Sequence, residues 1–258
     1  MKYLNFKVKG NGKAIVLLHG FTESLTIWES FSKILSRKYR VICIDLPGHG
    51  KSECRGEVHL MEDMADAVGD VINKLQIDSL MIVGHSMGGY VALSYAEKYP
   101  LKIGGLCLFH SQAAADSPET KTNRARTIEV VKQNHIDFIN QFIPDLFAPE
   151  NRQRLQANID KLKNEARIFL TKESIVASQE GMLQRNDKYK FLSRTDIPVL
   201  FIAGKQDSRI PLEKITEQLV LTKHAEALIL DVGHMGYLEA PKETLNALDL
   251  FADKVFSS

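Results

Sequence analysis

Short apolar runs that alternate with helical patterns leave few folds open to this chain of 258 residues. Such runs are typical of parallel strands that are buried on both faces of a sheet. The candidate strands are Ala14–Leu18, Arg40–Ile44, Ser79–Gly84, Ile103–Phe109, Ile197–Gly204 and Ala225–Asp231. Alternating polarity over Tyr3–Val8 predicts one more strand, at the edge of the sheet. The alternation therefore predicts an α/β protein with a central, mostly parallel sheet.

Helical periodicity between the strands completes this prediction. In Leu60–Ile77 the apolar side chains recur on one stripe, which is the pattern of an amphipathic helix that packs against a core. Pro211 and Pro241 each stand at a plausible first position of a later helix, where proline's missing N–H has no intrahelical partner to lose. The sheet is therefore expected to be flanked by helices.

The strand–helix alternation breaks between about Gln112 and Lys190. This stretch contains no convincing strand, and its apolar residues recur at helical spacing, as Leu155, Ile159 and Leu162 do. We expect residues 112–190 to form a helical insertion rather than a second folding domain. The core would then consist of residues 1–111 and 191–258.

Charge and composition exclude several classes of partner. Lys and Arg total 33 and Asp and Glu total 32, so a net charge of +1 offers no polyanion-binding surface, and no nucleic-acid partner is expected. No stretch approaches the roughly 20 apolar residues of a membrane span, and the first residues lack a signal-peptide pattern. A cytoplasmic protein without a membrane partner is therefore predicted. The three cysteines show no CxxC spacing, which predicts neither a disulfide framework nor a zinc site.

The sequence Gly84-His85-Ser86-Met87-Gly88 matches the pattern G-x-S-x-G between a buried strand and a helix that begins near Met87. In that context the serine lies on a sharp turn, and its hydroxyl projects at the carboxyl end of the strand. Glycines allow the backbone to turn tightly and the helix to pack closely. A serine hydroxyl is a weak nucleophile, so Ser86 is a candidate nucleophile if a base lies nearby.

Two later strand ends supply a candidate base and a candidate acid. Asp207 follows the strand Ile197–Gly204, and His234 follows the strand Ala225–Asp231. Histidine, with an unperturbed pKa of about 6.5, is suited to accept a proton, and a carboxylate holds its imidazole in the right tautomer. The order serine, aspartate, histidine is the one expected for a G-x-S-x-G protein. Asp231 is a rival acid, although it lies three residues before His234 and still on the strand.

Hydrogen-bond donors for a developing oxyanion are the remaining requirement. The backbone N–H of Met87, at the start of the predicted helix, is one candidate. The segment His19–Phe21 directly follows the strand Ala14–Leu18, and the N–H of Phe21 is the second candidate.

These features resemble the α/β-hydrolase family, in its cap-bearing serine-hydrolase branch, which is esterase- or lactonase-like. The segments that carry the resemblance are Val16–Phe21, Asp45–Ser52, Val83–Gly89, Gly204–Asp207 and Val232–Pro241. The resemblance implies the α/β-hydrolase fold and places the insertion 112–190 where the family carries a variable helical cap. It implies that Ser86 is the nucleophile, that His234 is the general base and then the acid, and that Asp207 orients His234. It further implies an oxyanion hole formed by the backbone N–H groups of Phe21 and Met87, and neither a cofactor nor a metal.

The reaction expected from this resemblance is hydrolysis of a small or medium carboxylic ester, lactone or thioester through an acyl-enzyme. Serine at the elbow, where an epoxide hydrolase or a haloalkane dehalogenase would carry aspartate, disfavours those activities. A C–C bond hydrolase or an enol-lactonase is an alternative that needs cationic groups to hold a substrate carboxylate; the available arginines are Arg124, Arg126, Arg152, Arg167 and Arg209. A non-catalytic, ligand-binding protein with this fold is a further alternative. The sequence leaves the oligomeric state open.

Two other histidines stand next to these segments. His85 is expected to point away from the cleft or into the protein. His110 ends a predicted strand and could line the pocket, but no catalytic role is predicted for either histidine.

Overall fold

The computed structural model describes residues 3–257, in which a seven-stranded sheet forms the centre. The strands are β1 (Phe6–Lys9), β2 (Ala14–Leu18), β3 (Arg40–Ile44), β4 (Leu80–His85), β5 (Ile103–Phe109), β6 (Val199–Gly204) and β7 (Ala225–Leu230). Their order across the sheet is β1-β3-β2-β4-β5-β6-β7. Among these strands, β1 is antiparallel to β3 and every other neighbouring pair is parallel. The predicted mostly parallel α/β sheet is confirmed.

Helices connect and flank the strands. They are α1 (Glu29–Leu35), α2 (Met61–Lys74), α3 (Met87–Lys98), α4 (Pro118–Phe142), α5 (Pro149–Arg152), α6 (Gln156–Phe169), α7 (Lys172–Gln184), α8 (Tyr189–Arg194), α9 (Leu212–Leu221), α10 (Gly236–Glu239) and α11 (Pro241–Ser257). Helices α1, α3, α9 and α11 pack directly against strands, and α2 packs against α3. Within residues 3–257, no helix combines the length and the apolar character that crossing a bilayer requires.

Burial along the strands agrees with the sequence except at the two edges. Every residue of β2, β4 and β6 is buried. No residue of β7 is fully buried, and Ala227 and Ile229 are exposed, so the prediction that this run is buried on both faces is wrong. β7 pairs with β6 alone and forms an edge of the sheet. At the other edge, β1 begins at Phe6 and not at Tyr3.

Between β5 and β6 the chain is helical from α4 to α8. Helix α4 packs against α6 and α7, and it is broken at Asn134, whose dihedral angles (φ −153°, ψ 92°) are not helical. The Asn134 side chain accepts the backbone N–H of Asp137 (3.1 Å) and so caps the second half of the helix. The helical content of this stretch matches the sequence pattern, and its division from the core at residues 112 and 190 stays a prediction.

Parallel pairing brings several strand ends to one edge of the sheet. In the register of the sheet, Leu18 at the end of β2 lies beside Gly84 of β4, and Phe109 at the end of β5 lies beside Ile202 of β6. Gly204 at the end of β6 lies beside the last residue of β7. The loops that carry the candidate site residues therefore start from neighbouring points.

Candidate active site

Ser86 lies in a strained turn between β4 and α3. Its backbone has φ +48° and ψ −115°, and a positive φ at a residue other than glycine costs about 1–3 kcal/mol. Hydrogen bonds hold this conformation: the N–H of Ser86 donates to the carbonyl of Phe109 (2.9 Å), and the Ser111 hydroxyl donates to the carbonyl of Ser86 (2.8 Å). The turn places Ser86 at a pocket, where no residue between 3 and 257 hydrogen-bonds to its hydroxyl.

Two glycines make room for this turn. A Cβ atom at Gly84 would overlap the backbone of Gly88, and a Cβ atom at Gly88 would overlap the carbonyl groups of Leu18 and His19. Helix α3 can therefore start directly against the end of β2. The structure has the strand–turn–helix context that the G-x-S-x-G pattern predicted.

His234 and Asp207 form a direct pair. Nδ1 of His234 lies 2.9 Å from Oδ1 and 2.8 Å from Oδ2 of Asp207, and both side chains are almost fully buried. A carboxylate can only accept, so Nδ1 carries the proton and Nε2 is left with a lone pair. His234 lines the same pocket as Ser86. Asp231 instead accepts a hydrogen bond from Gln206 (3.0 Å) and is exposed, so the structure favours Asp207 over this rival.

His110 is a second histidine on the same carboxylate, and sequence reasoning missed it. Its Nδ1 donates to Oδ2 of Asp207 (2.9 Å), and it is fully buried with a positive φ of 47°. Burial alone would raise the pKa of Asp207, but the charge of His234 and hydrogen bonds from both histidines outweigh burial and hold this pKa well below its usual range. Asp207 is therefore ionised at any pH at which His234 would act. The one sequence signal for His110 is its position directly after β5.

The peptide between Gly20 and Phe21 is fixed from its carbonyl side. His19 accepts the N–H of Leu46 at Nε2 (2.9 Å), so its Nδ1 carries the proton and donates to the carbonyl of Gly20 (2.7 Å). Because the C=O and the N–H of a peptide point in opposite directions, the Phe21 N–H is directed away from His19. Among residues 3–257, neither this N–H nor that of Met87 has an acceptor.

A buried carboxylate braces the same loop. Glu23 accepts the N–H of Gly20 (2.6 Å), Nδ1 of His85 (2.8 Å) and the hydroxyl of Tyr237 (3.0 Å). Nε2 of His85 faces the carbonyl of His234 (3.0 Å), so both ring nitrogens of His85 face acceptors and both carry protons. Burial alone would lower the pKa of His85, but its interaction with the Glu23 carboxylate outweighs burial, so the pKa of His85 lies above its usual value. His85 points into the protein as predicted, and it also lines the pocket.

The loop of His234 is tied to the helical segment between β5 and β6. The N–H of His234 donates to the carbonyl of Leu146 (2.7 Å). The buried Glu239 carboxylate accepts the N–H groups of Gly233 (3.1 Å), Met235 (3.1 Å) and Ala148 (3.0 Å). The position of His234 therefore depends on residues from both parts of the chain.

The pocket at Ser86 has a volume of about 280 Å³, which is near the lower end of the range of about 300–1,000 Å³ typical of ligand sites. From the sheet side it is lined by Phe21, Glu23, His85, Ser86, Tyr90 and His234. Arg124 and Phe142 of α4 and Arg209 of the loop after β6 also line it. The pocket therefore combines apolar walls with two guanidinium groups.

His110, Asp207 and His234 are the group in the described part of the chain that has metal-ligating spacing, with one ligand atom of each within 4.8 Å of the others. The two Nδ1 atoms already share the Asp207 carboxylate through hydrogen bonds. A metal ion bound between these side chains would have to displace the two Nδ1 protons that already pair with the carboxylate, so these residues do not fit a metal site.

A sequence model of the alpha/beta hydrolase fold matches residues 13–241, which is most of the chain. The chain therefore belongs to the α/β-hydrolase family, and it is a hydrolase. A thermophilic esterase from Thermogutta terrifontis, solved with malate bound, is 31% identical, with a TM-score of 0.91, and the match covers 98% of this chain and 93% of that one.

Two further relatives extend the comparison. The (E)-2-((N-methylformamido)methylene)succinate hydrolase of Acinetobacter baylyi is 25% identical over 260 residues, which cover 95% of this chain and 92% of that protein. The enol-lactonase from Burkholderia xenovorans LB400 is 21% identical with a TM-score of 0.87, over 99% of this chain and 96% of that one. The latter likeness concerns the fold alone.

Proposed function

We propose that this hydrolase cleaves a small or medium carboxylic ester, lactone or thioester through an acyl-enzyme, with Ser86 as the nucleophile. The observation that carries the proposal is the protonated Nδ1 of His234 held against Asp207, which leaves Nε2 free to act as a base in the pocket that Ser86 shares. The strained turn at Ser86 supports the proposal, because such strain is concentrated at functional sites.

In the proposed acylation, Nε2 of His234 takes the proton of the Ser86 hydroxyl while the oxygen attacks the carbonyl carbon. The N–H groups of Phe21 and Met87 stabilise the resulting oxyanion, for which a donor is worth about 10²–10³ in rate. The C–O bond to the leaving group then breaks, and His234 gives its proton to the departing alcohol. Asp207 stays ionised throughout and stabilises the imidazolium.

In the proposed deacylation, water replaces the alcohol in the pocket. Nε2 of His234 takes one proton of the water as its oxygen attacks the acyl carbon, and the same two N–H groups receive the second oxyanion. Collapse breaks the bond to Ser86, whose oxygen recovers the proton from His234, and a carboxylic acid is released. We also propose that residues 112–190, which supply Arg124 and Phe142 to the pocket, are the cap that selects the substrate.

A C–C bond hydrolase or an enol-lactonase acting on a carboxylated substrate is the second candidate. The observation that favours it is the presence of Arg124 and Arg209 in the pocket wall. It is in keeping with the relatives, because the Acinetobacter baylyi enzyme is named for a succinate and the Thermogutta terrifontis esterase was solved with malate. Arg126, Arg152 and Arg167, the other arginines considered from the sequence, do not line the pocket.

The test is hydrolysis of p-nitrophenyl esters from acetate to decanoate by the wild type, Ser86→Ala and His234→Ala. We expect both variants to lose at least about a thousandfold in kcat, and the small pocket to favour short acyl chains. Thermal unfolding of each variant controls for folding. If His234→Ala kept more than about a tenth of the wild-type turnover, His234 would not be the base, since a general base contributes about 10²–10⁴.

Covalent labelling distinguishes the proposed hydrolase from a non-catalytic, ligand-binding protein with the same fold. A fluorophosphonate should label Ser86 in the wild type and leave Ser86→Ala unlabelled. Absence of both labelling and turnover would favour the binding protein, whereas labelling without turnover of any p-nitrophenyl ester would favour the second candidate.

A further inference from the structure

Two arginines reach the pocket from different parts of the chain. Arg124 lies on α4, and Arg209 lies in the loop after β6, two residues beyond Asp207. A guanidinium group usually has carboxylate partners that account for its charge, and it presents a planar fork of donors that matches a carboxylate. The partners of each guanidinium therefore decide whether charge is left over for a ligand.

Arg124 is held rigidly and is only partly neutralised. Its Nε donates to Asp116 (2.5 Å) and its Nη1 donates to Gln179 (2.9 Å). The other oxygen of Asp116 contacts Nη1 of Arg185 (2.6 Å), so one carboxylate serves two guanidinium groups and one positive charge is in excess. Nη2 of Arg124 has no acceptor among residues 3–257. The head group is thus preorganised with one edge free.

Arg209 has no carboxylate in contact with its guanidinium among residues 3–257. The guanidinium stacks on the ring of Phe142, 4.7 Å from its centre. The backbone N–H of Arg209 donates to Oδ1 of Asp207 (2.8 Å), which fixes the start of the side chain relative to the candidate catalytic residues. Arg209 stays partly open to solvent. Its pKa is lowered because the partial removal of the guanidinium from water outweighs the opposing effect of the Asp145 and Asp207 carboxylates, and the charge of Arg124 adds a smaller lowering.

Within residues 3–257, the pocket lining holds no unpaired carboxylate that could neutralise these two cations. The acidic residue that lines the pocket is Glu23, and its carboxylate already accepts from Gly20, His85 and Tyr237. An anion that enters the pocket therefore meets guanidinium donors with spare capacity and no free carboxylate.

We propose that Arg124 and Arg209 form a carboxylate-binding subsite, so that the natural substrate carries a free carboxylate in addition to the bond that is cleaved. The inference rests on the proposed function, because it places the subsite in the pocket of Ser86. A volume of about 280 Å³ suits a short dicarboxylic skeleton. Arg209 fixes the carboxylate from the core side and the free edge of Arg124 fixes it from the cap side.

The kinetic test compares two esters that differ in the charge at the end of the acyl chain: mono-p-nitrophenyl glutarate, which ends in a carboxylate, and p-nitrophenyl pentanoate, which ends in a methyl group. We expect wild-type kcat/KM to be higher for the glutarate. Arg209→Met should lower the ratio of the two kcat/KM values by about ten- to a hundredfold, which is the worth of a hydrogen bond to a charged group, and Arg209→Lys should retain part of it. Arg126→Gln is the matched control, because Arg126 is exposed on the same helix as Arg124 and does not line the pocket; it should leave the ratio unchanged.

The two esters place the carboxylate only on the acyl side of the substrate. A binding measurement at equilibrium also detects the subsite if the natural substrate carries its carboxylate on the alcohol side. Glutarate should bind to Ser86→Ala in calorimetry, and Arg209→Met in the same background should weaken binding by about tenfold or more. Equal kcat/KM values for the two esters together with no binding of glutarate would overturn the subsite, and so would tighter binding of inorganic phosphate than of glutarate. Neither result would touch the proposed function, which fails only if Ser86 does not support turnover of any ester.

Discussion

The carboxylate of Asp207 receives hydrogen bonds from two histidine rings, His234 and His110, and from the backbone N–H groups of Arg209 and Ile210. A carboxylate with that many donors is fixed in position as well as in charge. The second histidine matters because, among residues 3–257, its Nδ1 proton has no other acceptor and its buried Nε2 has no partner. In the proposed mechanism, His110 therefore acts through Asp207, as a positioning residue.

Replacing His110 tests that role. His110→Leu removes the donor, so we expect kcat/KM to fall by about ten- to a hundredfold, the worth of a hydrogen bond to a charged group. It should also raise the pKa of Asp207, and a carboxylate with one donor fewer holds the protonated imidazole of His234 more strongly, so we expect activity on the acid side to be lost at a higher pH than in the wild type. His110→Asn keeps an N–H donor near the position of Nδ1 and should recover much of the activity. Equal pH profiles for the two variants would show that His110 only fills space.

The buried pair Glu23–His85 predicts a dependence of stability on pH. The pKa of Glu23 is below its ordinary 4.5, and that of His85 is above its ordinary 6.5. Glu23 thus contributes stability above about pH 4.5, and His85 contributes it below about 6.5 and loses it as the pH rises through its raised pKa. We expect Glu23→Gln to cost about 3–5 kcal/mol between these values, and less at higher pH.

Urea titrations at a series of pH values measure this difference in the free energy of unfolding. Glu29→Gln is the control, because Glu29 is an exposed carboxylate in the first turn of α1. A destabilisation by Glu23→Gln that stayed constant from acid to alkaline pH would mean that His85 is not charged in the folded protein.

For individual residues, the sequence predicted only those candidate site residues that a motif or their order along the chain identifies. Ser86, Asp207 and His234 each follow a strand within a recognisable pattern, and the structure brings Asp207 and His234 into contact at one pocket with Ser86. The sequence could not place His110 beside Asp207, because the two residues meet only as a result of β5 and β6 being neighbours in the sheet. Strand order of this kind is not written in any local pattern.

Among the strands, the sequence-based prediction was less successful at the edges of the sheet. The sequence AEALIL of β7 contains as many apolar residues as a central strand, yet its residues are half-buried or exposed. Hydrophobicity records that a run can form a strand, whereas burial depends on what pairs with it and covers it. The central strands β2, β3 and β5 were predicted to the residue, because burial on both faces leaves a continuous apolar run with clear limits.

Replacing a helical glycine by alanine should have opposite effects on stability at two positions, one in α7 and one in α2. A Cβ atom at Gly181 in α7 would overlap the carbonyl of His59, whose N–H is bonded to Ala177 of the same helix (2.9 Å). We expect Gly181→Ala to destabilise the protein by about 1–3 kcal/mol or more. Gly69→Ala in α2 is the control: its Cβ would lie 3.5 Å from Tyr95, an ordinary contact, so better helix propensity should make it neutral or stabilising by up to about 1 kcal/mol.

Thermal unfolding of both variants gives the comparison. A loss of stability in Gly69→Ala equal to that in Gly181→Ala would show that the packing of α7 on the segment at His59 is not the cause.

Over the whole molecule, Glu239 joins the two parts of the chain. Its carboxylate accepts N–H groups of the His234 loop and the N–H of Ala148 in the helical segment. Glu239→Gln would turn an amide N–H₂ toward some of these donors, so we expect a loss of at least about 2 kcal/mol in the free energy of unfolding, together with a lower kcat. Glu243→Gln, at an exposed position of α11, is the control for removing a charge. Unchanged stability and kcat in Glu239→Gln would show that the junction does not position His234.

The hydrogen bond from the N–H of His234 to the carbonyl of Leu146 also limits how such proteins can be recombined. A chimaera that joins this core to a foreign insertion at residues 112 and 190 replaces the carbonyl that holds the histidine loop, even when every residue of the core is kept. Domain shuffling at those boundaries would therefore be expected to yield folded but slow enzymes, unless the donor sequence restores an equivalent acceptor. Substrate range and catalytic rate would then evolve together rather than separately.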